Sequence, residues 1–92
     1  MITIKKLSTD EFNNLQVSEW SIWEKEVSKF DWFYDSTEEC YILEGEIEVT
    51  DENNNIYKIE KNDFVRFKKG LRCKWHIKSA VRKHYRFIRE VL

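Results

Sequence analysis

The sequence predicts an all-β fold: a mostly antiparallel barrel with a short helical turn near its N-terminus. Three observations carry that expectation. Short apolar–polar runs are separated by brief polar turns, the pattern of a barrel or sandwich. No stretch of helix length shows a 3.6-residue apolar period, and there is no internal repeat. The chain also holds the large apolar groups that a small barrel must bury, with four Trp, four Tyr and six Phe among 92 residues. A chain of this length makes one domain, residues 1–92, and buries roughly 60–65% of its unfolded surface. Each buried aromatic supplies about 150–250 Å² of that area.

The elements follow in order. Residues 1–6 alternate enough for a short edge strand. Thr9 followed by Asp10, Glu11 and Phe12 resembles a helix start, with acids at the positive end of the helix dipole. Trp20 and Trp23 bracket a short irregular segment. Val27, Phe30, Trp32 and Tyr34 mark a strand that breaks at Asp35 and Ser36. Strands over 39–43 and, after Gly45, over 46–50 come next. The run 51–55 (DENNN) is the clearest turn, because Asn and Asp tolerate left-handed backbone. Residues 56–60 return, 61–63 turn again, and strands over 64–67, 72–78 and 81–91 complete the chain.

Net charge is −1, but residues 1–55 carry 14 acids and 4 bases, while residues 56–92 carry 3 acids and 12 bases. Such asymmetry can mark a nucleic-acid patch, here Arg66, Lys68, Lys69, Arg72 and Lys74. The bases alternate with apolar residues as on a strand, which favours pairing between early and late strands. No apolar run approaches the roughly 20 residues of a membrane helix, and the first residues lack a signal-peptide core. Two cysteines are too few for a disulfide framework. The expectation is a cytoplasmic protein with no nucleic-acid or membrane partner.

Strand alternation then sorts side chains by face. Phe30, Trp32 and Tyr34 share one face, joined by Glu38, Cys40 and Ile42 if the alternation survives the bend. Later, Cys73, Trp75 and Ile77 oppose Lys74, His76 and Lys78. In the last strand Val81, Lys83, Tyr85 and Phe87 oppose Arg82, His84 and Arg86. Both histidines are therefore expected at the surface. Lys83 stands in an apolar row, where it is costly to desolvate unless it meets an acid or stays wet. Tyr41 and Leu43 make their strand apolar on both faces, so a second layer is needed, and a homodimer would supply it.

The segment Glu38-Glu39-Cys40-Tyr41-Ile42-Leu43-Glu44-Gly45-Glu46 resembles the first cupin motif: an acid, six residues, a glycine, then the Gly-Glu turn. The segment from Asn62-Asp63 through Gly70 to Cys73 resembles the second. With Trp20-Ser21-Ile22-Trp23, residues 30–34 and residues 81–85, the chain is similar over nearly its whole length to one group. These are the small single-domain cupins of an uncharacterised subfamily related to (S)-ureidoglycine aminohydrolase. The resemblance implies an RmlC-like jelly-roll β-barrel of six to eight strands with a ligand site inside. It does not bring the usual metal. Metal-binding cupins place two histidines before the acid and one after the second glycine, and those positions are Trp32, Tyr34 and Cys73 here. Only Glu38 remains as a standard ligand, so no metal or cofactor is expected. Asn62 and Lys68 replace the second motif's glycine and proline.

Alternation and resemblance together define one internal surface. Trp32, Tyr34, Glu38 and Cys40 come from the early strands, and Cys73, Trp75, Lys83 and Tyr85 from the late ones. A mostly apolar pocket with a few converging polar groups is the usual form of a small-molecule site. Glu38 and Lys83 are placed to form an ion pair. A charged Lys83 would bind an anionic group, while a desolvated neutral one would act as nucleophile or base. Cys73 beside a cation would be acidic and reactive. Core packing accounts for the same aromatic row, a structural ion pair for Glu38 and Lys83, and inert filler for Cys40. The expected function is binding of a small anionic or nitrogen-containing metabolite. The alternatives are a metal-dependent enzyme using Glu38, Cys73 and Tyr34, and a non-catalytic binding or structural module. No residue is assigned a catalytic role.

Overall fold

The structure is a computed structural model that describes residues 1–89. Its elements are β1 (Ile2–Lys6), α1 (Thr9–Asn14), a 3₁₀ turn (Val17–Glu19), β2 (Ser21–Lys25), β3 (Ser28–Phe33), β4 (Thr37–Asp51), β5 (Ile56–Ile59), β6 (Asp63–Phe67) and β7 (Arg72–Ile88). Every strand pairing is antiparallel.

The two long strands organise the fold. β4 and β7 pair along their whole length, from Thr37 opposite Ile88 to Asp51 opposite Cys73. The register shifts between Ile42 and Ile47, the irregularity that lets a strand bend from one sheet layer into another. On one side of the bend, the first half of β4 pairs with β6, which carries β1, and the second half of β7 pairs with β2. On the other side, β4 carries β5 and β7 carries β3. The result is the all-β jelly roll that the sequence predicts.

Three expectations about elements need correction. Gly45 does not separate two strands: it sits inside the fifteen-residue β4, with φ +113°, as part of the bulge. Likewise β7 runs unbroken through Ser79 and Ala80; the expected end at Val91 lies outside the described residues. The stretch from Trp20 to Trp23 is not irregular, because β2 begins at Ser21 and pairs with β7 from Tyr85 to Val81. Its side chains are mostly exposed, so an edge strand left little apolar alternation to read.

The helix starts at Thr9, as expected. Ser8 is the cap: its Oγ accepts the Glu11 N–H at 3.1 Å, and Glu11 Oε1 accepts the Ser8 N–H at 3.1 Å, a capping box. The turn at residues 51–55 forms as expected. Asp51 Oδ1 accepts N–H bonds from Asn53 and Asn55, both 2.9 Å, and Asn54 takes φ 64°. Asn62, where the family motif has glycine, takes φ 72°.

The core lies between the layers, around Cys40, Ile42, Ile47, Val49, Val65, Phe67 and Ile77, all essentially inaccessible to solvent. Part of the second layer over the outer face comes from the chain itself: Phe12 of α1 packs edge-on against Tyr41 at 5.1 Å. His84 is buried rather than exposed, with Nδ1 3.0 Å from the Trp20 carbonyl, because the segment entering β2 covers that face of β7.

The lopsided charge folds onto itself. Arg66 and Arg86 both reach Glu39, Lys83 reaches Glu38, Lys78 reaches Glu48, and Arg82 reaches Glu24. Glu39 is buried on the outer face, with Arg66 Nε at 2.9 Å and Arg86 Nε at 3.0 Å. Burial alone would raise its pKa, but the hydrogen bonds and charges of the two guanidiniums outweigh it and hold the carboxyl below its ordinary range. Among the described residues, no helix is long and apolar enough to cross a membrane.

Candidate functional site

β2, β3, β4 and β7 enclose a cavity of about 210 Å³. Its polar floor is built by register. Lys83 on β7 lies opposite Ile42, four residues beyond Glu38 on β4, and its long stem reaches back along the inner face. Lys83 Nζ stands 2.7 Å from Glu38 Oε2, and both side chains are more than nine-tenths buried. The same ammonium lies 5.0 Å from the Trp23 ring centre and 4.9 Å from that of Trp75. A caged cation of this kind gains about 0.5–2 kcal/mol from the ring faces. Trp23 is there because β2 pairs it directly with Lys83.

The walls are aromatic and mutually braced. Phe30 lies nearly parallel to Trp75, with ring centres 5.9 Å apart. Trp75 Nε1 donates to the Tyr34 hydroxyl at 3.2 Å, and Tyr34 stacks flat on Phe67 at 4.7 Å. Burial first, and then the charge of Glu38, push the Tyr34 hydroxyl far above its ordinary pKa, so it stays a protonated donor. Trp32 and Phe87 are 51% and 61% exposed and form the rim.

Of the eight residues expected on this surface, Trp32, Tyr34, Glu38, Trp75, Lys83 and Tyr85 line the cavity. Cys40 and Cys73 do not. Cys40 is fully buried in the core, and burial pushes its thiol up to about 12 even against the opposing charge of Lys83. Cys73 lies at the start of β7 against a separate depression with Asp51, and burial pushes it up to about 11. Neither is the acidic, reactive thiol that a neighbouring cation would create. At pH 8 a thiol with pKa about 11 is roughly one part in a thousand thiolate. Iodoacetamide at that pH therefore leaves both cysteines unmodified in the folded protein and alkylates both after denaturation, as read by intact mass. Rapid labelling of Cys73 in the folded state would contradict the burial argument.

Trp23, Phe30 and Phe87 also line the cavity. Phe30 and Phe87 stand on the inward rows that alternation defines and were legible there. Trp23 is hidden in the sequence because β2 is a mostly exposed edge strand with little apolar alternation.

The positions that hold a metal in metal-binding cupins do not fit one here. The Trp32 indole has no lone pair to donate, the Tyr34 hydroxyl is tied to Trp75 and held protonated, and Glu38 is taken by Lys83. Cys73 lies outside the cavity. Among the described residues no three His, Cys, Asp or Glu side chains gather as a ligand set.

A jelly roll bent about two long strands, with a motif glycine at the bend and another in the turn before β7, defines the cupin class. Within it, the chain belongs to the EutQ-like cupin domain family, whose pattern matches residues 12–85. The crystal structure of a DUF861-family protein from Thermotoga maritima is 52% identical, with TM-score 0.94, covering 96% of this chain and 100% of that one. A DUF861-family protein from Pseudomonas syringae is 24% identical (TM-score 0.67; 73% of this chain, 29% of that one). The EutQ protein of Clostridium difficile is 18% identical (TM-score 0.65; 91% and 64%). The last two show the shared fold alone. No curated protein matches the chain.

Proposed function

We propose that the protein binds a small nitrogen-containing or anionic metabolite in the cavity above the Lys83–Glu38 pair, as a cytoplasmic homodimer. The observation that carries this reading is a buried lysine and glutamate facing a hollow of about 210 Å³. The pair stands at the floor of a mostly aromatic hollow, and an apolar pocket with a few converging polar groups is the usual form of a small-molecule site. A relation to ureidoglycine aminohydrolase, as the sequence motifs suggest it, would fit a nitrogen-containing ligand, although a shared fold does not transfer chemistry. Free thiols at Cys40 and Cys73 suit a reducing compartment. Exposed Ile22 on β2, Val27 in the link that follows and Phe33 on β3 supply apolar area for a second copy. Arg66, one of the five bases that could form a nucleic-acid patch, is held by Glu39, which argues against such a face.

The test is a thermal-shift screen of small amides, ureides and carboxylates against the wild type and the Glu38→Gln/Lys83→Met double variant. A ligand at a hundredfold excess over Kd stabilises by about 2.7 kcal/mol, or roughly 10–20 °C for a domain of this size. The wild type gains that shift and the double variant, binding about tenfold more weakly, gains only about half of it. Equal shifts in both proteins, or none with any compound, remove the site. Light scattering on the same samples gives twice the 11.3 kDa chain mass, and a monomer removes the homodimer.

A further inference from the structure

The geometry points to a neutral, planar ligand that presents a C=O and an N–H side by side, the edge of a lactam or primary carboxamide. This rests on the reading of the cavity as a small-molecule site and narrows it.

Charge balance carries the inference. Among the described residues, the cavity wall holds one carboxylate, Glu38, and one ammonium, Lys83, and they already neutralise each other at 2.7 Å. The Tyr34 hydroxyl is held protonated, so it adds no charge. An anion would enter an aromatic-walled site whose cation is already matched, and would face the Glu38 carboxylate. A cation would meet Lys83 in the same way. Either leaves an uncompensated charge out of water, which is costly. A neutral ligand avoids that cost.

The unused hydrogen-bonding capacity then sets the ligand's edge. An ammonium has three N–H donors, and Lys83 gives one to Glu38 Oε2. The carboxylate can accept several bonds. Donor and acceptor stand next to each other, so the complementary edge is an acceptor beside a donor: a carbonyl toward Lys83 and an N–H toward Glu38. The walls set the shape. Aromatic rings make up most of the lining, and ring faces favour a flat ligand. The volume, about 210 Å³, equals roughly seven waters at ~30 Å³ each, room for one ring and a small substituent.

Benzamide, benzoate and benzamidinium share one ring and nearly one shape, and differ in charge. Each is titrated against the full chain while the indole N–H signals of Trp23 and Trp75 are followed by NMR. Benzamide is expected to move the Trp75 signal, which starts from its bond to Tyr34, with a Kd at least tenfold below that of either ion. The Glu38→Gln/Lys83→Met double variant keeps a neutral floor and weakens benzamide about tenfold. If benzoate or benzamidinium binds as tightly as benzamide or tighter, the neutral class is wrong while the site stands. If none of the three moves either indole signal, both the ligand class and the site fall.

Discussion

Lys83→Met lowers the stability of the folded chain by about 3–5 kcal/mol in urea unfolding, and adding Glu38→Gln to it restores most of the loss. The asymmetry follows from burial. Both side chains of the pair are more than nine-tenths covered, between Trp23, Trp75 and the inner face of β4. Removing the ammonium leaves a carboxylate facing aromatic rings with no counter-charge, so it must take a proton or draw water into the cavity. Removing both charges leaves two neutral groups of similar shape, and replacing a whole buried pair is often close to neutral. A domain of this size holds only about 5–14 kcal/mol in total, so the single variant stands near its limit while the double variant folds normally. That is why the double variant is the right background for ligand tests. A single variant within about 0.5 kcal/mol of wild type would mean that the pair is screened by water and the site is wetter than its burial indicates.

Much of this site was legible from alternation alone. The two-residue period carried Tyr34, Glu38, Trp75, Lys83 and Tyr85 to one face, and Lys83 needed an acid that the same rows supplied. What alternation gives is a face, not a position along it. Cys73 stands on the inward row but at the far start of β7, paired with Trp32 and Asp51, where the cavity no longer reaches. Trp32 also points inward by parity, yet β3 pairs only with β7, and the ring stays half in solvent at the rim. The long strands were harder. A glycine with positive φ looks the same locally whether it closes a turn or makes a bulge, and only the partner strand decides. The size of the cavity belongs to the assembled structure, so it could not be read from the sequence.

Gly45 tests the bend that brings these residues together. Gly45→Ala costs about 3–5 kcal/mol, whereas Gly70→Ala costs about 1 kcal/mol, from urea midpoints of both variants. Both glycines hold positive φ, +113° and +94°, so each alanine meets backbone strain. The surroundings differ. A Cβ at Gly45 would lie 2.8 Å from both the Ala80 carbonyl oxygen and the Val81 Cα, and 3.1 Å from the Ser79 carbonyl oxygen, all backbone atoms that cannot swing aside. At Gly70 the nearest atom is the Met1 methyl at 3.9 Å, so strain acts alone. The close approach at Gly45 is where β4 and β7 bend together, two residues before Lys83. Pushing the strands apart there also moves Lys83 relative to Glu38, so Gly45→Ala should weaken ligand binding in the cavity while Gly70→Ala leaves it unchanged. Equal losses of stability in the two variants would show that conformational strain, and not the contact between the bent strands, makes glycine necessary at position 45.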